Sequence, residues 1–142
     1  MEYDDMSPTQ QVRRNRIYLT FIVAVSHFLL MMLGIVNRLG FGIPTRYPLL
    51  LQTLDSSLWT IFHGLCFIGL VFAISKRKGH VTALAAATGV MGAWAFLSLL
   101  WGLSTPTPVS LAGPILAGGI ATLSYLLTIS WARAPRVHNK GE

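Results

Sequence analysis

Four long apolar stretches, at 17–36, 57–75, 81–101 and 109–132, occupy most of this chain, and none contains an Asp, Glu, Lys or Arg. Each has roughly the 17–25 residues that a helix needs to cross a hydrocarbon core ~30 Å thick. In lipid, every backbone N–H and C=O must be satisfied within the protein, which leaves helices or a closed barrel. The polar alternation of a barrel strand is missing from these runs. The expected fold class is therefore an all-α membrane protein, a four-transmembrane-helix bundle. Residues 1–16 form an N-terminal arm, 17–132 the transmembrane domain and 133–142 a basic tail.

The placement of charge sets the expected orientation. The chain is 53% hydrophobic and 11% charged, where a soluble domain carries about 25% charged residues. Its net charge of +6 could suggest nucleic acid, but the basic residues cluster at span ends without interleaved aromatics, so no nucleic-acid partner is expected. Arg13, Arg14, Arg16, Lys76, Arg77, Lys78, Arg133, Arg136 and Lys140 fall on one side, with only Arg38 and Arg46 opposite. The positive-inside bias makes the richer side cytoplasmic and puts both termini there, in a bacterial inner membrane with the lipid bilayer as partner. His80 and His138 are expected on that side, solvated. The first span is too long for a signal-peptide core and has no small-x-small cleavage site after it, so it reads as a retained signal anchor.

The connections are mostly short. The link from Lys76 to His80 makes the second and third helices antiparallel neighbours, and the prolines of 102–108 stop the third helix. Asp55, Ser56 and Ser57 can cap the second span. In the longer first connection, 47–54 could lie as an amphipathic turn on the surface.

Little inside the spans can do chemistry. The single cysteine, Cys66, cannot form an internal disulfide or a cysteine metal cluster, and reads as a small apolar filler. His27 and His63 are the only strongly titratable groups within the spans. Their depths are similar, so the two imidazoles could face one another. Two histidines on facing helices suit a b-type haem, with Gly34, Gly64 and Gly69 making room for the macrocycle and Arg38 or Arg46 near its propionates. Hydrogen bonding to Ser26, Thr60 or a carbonyl, or a proton-sensitive role, are the alternatives. There is no phosphate loop, His-Glu-x-x-His or nucleophile elbow, and all five acids lie outside the spans. No enzymatic activity, metal site, resident cofactor or small-molecule substrate is expected, haem b remaining the alternative.

Small residues recur at four-residue spacing in the last two spans: Ala85, Gly89 and Ala93 in one, Gly113, Ala117 and Ala121 in the other. Such stripes let two backbones approach closely. Either they pair with each other inside one hairpin or they carry self-association into a homo-oligomer. Pro114 with Gly118 and Gly119 could break the fourth helix as in a transporter, but Pro114 is close enough to the start to be a first-turn residue.

The number of spans, the size, the short turns and the basic tail 133–140 together resemble small holin-like membrane proteins of phage lysis cassettes. That resemblance implies accumulation in the inner membrane, oligomerisation and permeabilisation. Met1 and Met6 offer two starts, as in some holin families that make a second, inhibitory product. The extra segment in those families is basic, whereas here it carries Glu2, Asp4 and Asp5.

Overall fold

The computed structural model describes residues 7–39, 56–104 and 112–134. These form four helices, α1 (Pro8–Arg38), α2 (Ser56–Lys76), α3 (His80–Ser104) and α4 (Ala112–Ala132), with no strand among the described residues. Each is long and apolar enough to cross a membrane, and the chain is a multi-pass membrane protein by that criterion.

Helix α1 starts well before its apolar run, and the reason is local. The backbone N–H of Gln10 donates to Ser7 Oγ at 3.4 Å, while Gln10 Oε1 accepts from the Ser7 N–H at 3.2 Å. This is a capping box, with Pro8 pre-set for the first helical position. Residues 8–16 are thus the first turns of α1, although the charge pattern alone marks them as an arm. Helices α2 and α3 are joined by only Arg77, Lys78 and Gly79. Arg77 and Gly79 both adopt left-handed backbone angles, φ 54° and 78°, which reverse the chain sharply. The proposed cap Asp55, the segment 47–54, Arg46 and the prolines at 106 and 108 lie outside the described residues, as does His138.

Neighbours in sequence are neighbours in space. The α3–α4 contact is the most extensive, followed by α1–α2, α2–α3 and α1–α4. Met31 meets Gly64 and Gly34 meets Thr60, so α1 and α2 run antiparallel. His80 stacks on Trp131 while Gly113 faces Trp94, which gives α3 and α4 the same relation. Residues 16–20 and 131 lie together, so the start of α1 and the end of α4 share one end of the bundle.

The interior follows a 3.5-residue period. Thr20, Val23 and His27 on α1, His63, Cys66, Leu70 and Ala73 on α2, His80, Leu84, Ala87, Met91 and Ser98 on α3, and Ala117, Ser124 and Leu127 on α4 are buried. Spacings of three and four residues are those of a left-handed coiled-coil seam. The outer surface is as apolar as the seam: Phe21, Leu29, Leu65, Ile68, Phe72, Phe96, Ile115 and Leu126 are all exposed. In water this would be an inverted protein. In lipid it is the expected arrangement, with hydroxyls and imidazoles turned inward. The hydroxyls of Thr88, Ser124 and Thr128 donate to carbonyls one turn back in their own helices, each at 2.8 Å, so they need no partner from another helix.

Candidate functional site

Side-chain chemistry converges in the bundle interior at the α1–α2 interface. His27 is 0% exposed and His63 3% exposed. Their Nδ1 atoms are 2.8 Å apart and their ring centroids 4.9 Å apart. One ring donates and the other accepts, since two N–H groups cannot face each other at that distance. His27 Nε2 is buried with no hydrogen-bond partner. A proton on that nitrogen would be an N–H stranded in an apolar interior, which costs more than a bare lone pair. This assigns the shared proton to His27 Nδ1, which donates to His63 Nδ1 and leaves His63 protonated at Nε2.

Glycines bring the two helices close enough for this contact. A Cβ on Gly34 would overlap Thr60 Oγ1, and a Cβ on Gly64 would stand 3.2 Å from Met31 Sδ. Phe28, next to His27, packs on Phe67, one turn beyond His63, with centroids 5.1 Å apart. Trp59 lies beside His63 at 6.4 Å between ring centroids. Cys66 is buried one turn further along α2, in a cluster with Val23, Ala24 and Leu70. Ser26, one of the expected histidine partners, instead donates to the Ile22 carbonyl of its own helix at 3.0 Å.

This geometry has no slot for a porphyrin between the rings. Two imidazoles on one iron have their nitrogens roughly 4 Å apart, twice a metal–imidazole bond of ~2.0 Å, against the 2.8 Å seen here. The room expected at Gly34 and Gly64 is filled by Thr60 and Met31, and Gly69 lies 4.0 Å from Ala83 of α3 on the same measure. Among the described residues no group of three or more His, Cys, Asp or Glu side chains could hold a metal ion.

The two small-residue stripes do not pack on each other. Ala117 is buried and Ala121 half-buried, while a Cβ built on Gly113 would stand 3.9 Å from the Trp94 ring. Ala85, Gly89 and Ala93 are exposed, and nothing lies within 4 Å of a Cβ built on Gly89. The hairpin pairing expected from their spacing is therefore corrected: the α3 stripe points outward. The physical reason is that the seam of α3 runs through His80, Leu84, Ala87, Met91 and Ser98, which rotates 85, 89 and 93 away from the bundle. Helix α4 is unbroken, with Pro114 in its first turn.

A second cluster, which the sequence does not announce, closes one end of the bundle. His80 is 6% exposed, not solvated, because its ring stacks flat on Trp131 with centroids 4.1 Å apart and planes 5° apart. Trp131 Nε1 donates to Thr20 Oγ1 at 3.4 Å. The Arg16 guanidinium carbon lies 5.7 Å from the indole centroid. The seven-residue recurrence of Thr20 and His27 marks the inward face of α1, but no signal in the sequence pairs His80 with Trp131.

No protein-family model, curated protein or solved structure matches the chain.

Proposed function

We propose that this is a non-enzymatic, self-associating protein of the bacterial inner membrane that permeabilises the bilayer in the manner of a holin, with both termini cytoplasmic. The observation that carries this reading is the outward face of α3, where Ala85, Ala86, Gly89 and Ala93 are all exposed. A small-residue face gains little from lipid but lets a second helix approach closely, so it suits contact with another copy. Orientation rests on charge. Arg13, Arg14, Arg16, Lys76, Arg77, Lys78 and Arg133 lie at one end of the described helices, and only Arg38 at the other.

Inducible expression tests the reading. Dye entry and loss of membrane potential are expected, with Gly89→Leu abolishing both and reducing cross-linked oligomers to monomer. Accumulation at high level without dye entry would sink it.

A small transporter is the second reading, favoured by one observation, the fully buried His27–His63 pair. If it is right, His27→Ala abolishes permeation while oligomers persist. An accessory subunit carrying haem b would show a Soret band that disappears in the same variant.

A further inference from the structure

We propose that the end of the bundle around His80 is a binding site for a phosphate-bearing anion, held between the start of α1, the start of α3 and Trp131 of α4. Three independent observations meet there. First, His80 is 6% exposed and its Nδ1 has no hydrogen-bond partner, and Arg16 Nε is likewise buried without one. Both residues lie against the same indole, that of Trp131. A guanidinium nitrogen that can only donate, and an imidazole nitrogen that donates once a bound acceptor selects its Nδ1–H tautomer, lie unsatisfied against one indole, as a site for an acceptor ligand requires.

Second, among the described residues the positive charge meets no carboxylate, since not one Asp or Glu occurs there. Arg13 stands one turn before Arg16 on α1, and Lys76, Arg77 and Lys78 shortly precede His80 in sequence. Third, α3 is a 25-residue helix whose cap position is occupied by Gly79, the carbonyl of which accepts from the Ala83 N–H at 3.0 Å. Glycine brings no side-chain acceptor to the first N–H groups of the helix, and these carry the positive end of the helix dipole. Guanidinium groups supply fork-shaped donors that match phosphate oxygens, and the imidazole supplies a further donor when a bound anion selects its Nδ1–H tautomer. The location at a span end makes a lipid headgroup one source of the phosphate, and a soluble phosphate another. The site is independent of self-association and of which side of the membrane it faces.

The full chain in nanodiscs tests this. Phosphatidylglycerol should be retained in native mass spectra in preference to phosphatidylcholine. Arg13→Gln/Arg16→Gln should weaken that preference by roughly twenty-five-fold, at about a factor of five for each arginine replaced, while Arg38→Gln, which removes charge at the opposite end, leaves it unchanged. Inorganic phosphate titrated into phosphatidylcholine nanodiscs distinguishes the sources. Saturable binding with the same variant dependence identifies a soluble phosphate, and its absence alongside lipid retention identifies a headgroup. An equal loss in Arg38→Gln and in the double variant would mean a diffuse charge effect and overturn the site, as would failure of both ligands to bind. Should the double variant fail to assemble, the ¹⁵N resonances of the wild-type His80 imidazole decide: they shift on adding phosphatidylglycerol or phosphate if the site exists, and stay fixed if it does not.

Discussion

The two hairpins of this bundle solve the same packing problem differently. In α1–α2 the helices touch through glycines and a buried polar contact: Gly34 under Thr60, Gly64 under Met31, and His27 bonded to His63. In α3–α4 the contact is more extensive, but the hydroxyls of Thr88, Ser124 and Thr128 turn back onto their own helices. The difference teaches where specificity resides. Without a hydrophobic drive between helices in lipid, broad side-chain contact gives adhesion, whereas close approach and a directed hydrogen bond fix one register. The first hairpin is therefore the specified one, and the second is the one with a face left over.

The sharpest way to break this comparison is to place the same side chain in both hairpins. Gly34→Val puts methyl groups into Thr60 and should cost about 2–3 kcal/mol, read by steric trapping or denaturant unfolding in micelles. Gly89→Val should leave the monomer within ~0.5 kcal/mol of wild type, because nothing lies within 4 Å of its Cβ. Equal losses would mean that the α3 face is packed inside the chain after all.

A smaller effect is expected from the histidines. His27→Ala or His63→Ala alone leaves one buried imidazole without its partner, a loss of about 1–3 kcal/mol. The double variant should lose less than the sum of the two, and a double-mutant cycle should return a coupling of about 1 kcal/mol. Strict additivity would show that the bond contributes nothing. The same pair gives a spectroscopic test: ¹⁵N shifts should identify His27 as the Nδ1–H tautomer, and the Nε2–H form at His27 would contradict the proton assignment.

The smallest change concerns the link between hairpins. Arg77 holds a left-handed conformation, φ 54°, that disfavours any residue with a Cβ. Arg77→Gly should raise thermal stability by no more than ~1 kcal/mol, and a loss would mean that the arginine side chain anchors the turn.

Span number and the similar depth of His27 and His63 were legible in the sequence, since both rest on length and hydrophobicity. The facing of the helices was not. With Phe21, Leu65, Phe96 and Leu126 outside and Val23, Leu70, Leu84 and Leu127 inside, apolar periodicity carries no information about which side is in. In lipid the inward face is marked by its polar members, and Thr20 with His27, or His80 with Ser98, share the seam of their helices. The Ala85–Gly89–Ala93 spacing misleads for the same reason: a small-residue stripe says that something approaches closely, not what. The start of α1 is readable in principle from Ser7-Pro8-x-Gln10, but the basic residues at 13–16 mask it by giving the segment the look of a solvated arm. Nothing in the sequence foretells the stacking of His80 on Trp131, which joins residues 51 positions apart.

The three-residue link at 77–79 has a mechanical consequence. It ties α2 to α3 so tightly that the two hairpins cannot slide past each other there. Around the other side, α1 and α4 share the least extensive of the contacts between adjacent helices, closed by the 3.4 Å bond from Trp131 to Thr20. The bundle is thus bound like a book, with its spine at α2–α3 and its fore-edge at α1–α4. Any parting of the hairpins begins at the fore-edge, and its clasp is the indole that also touches His80 and Arg16.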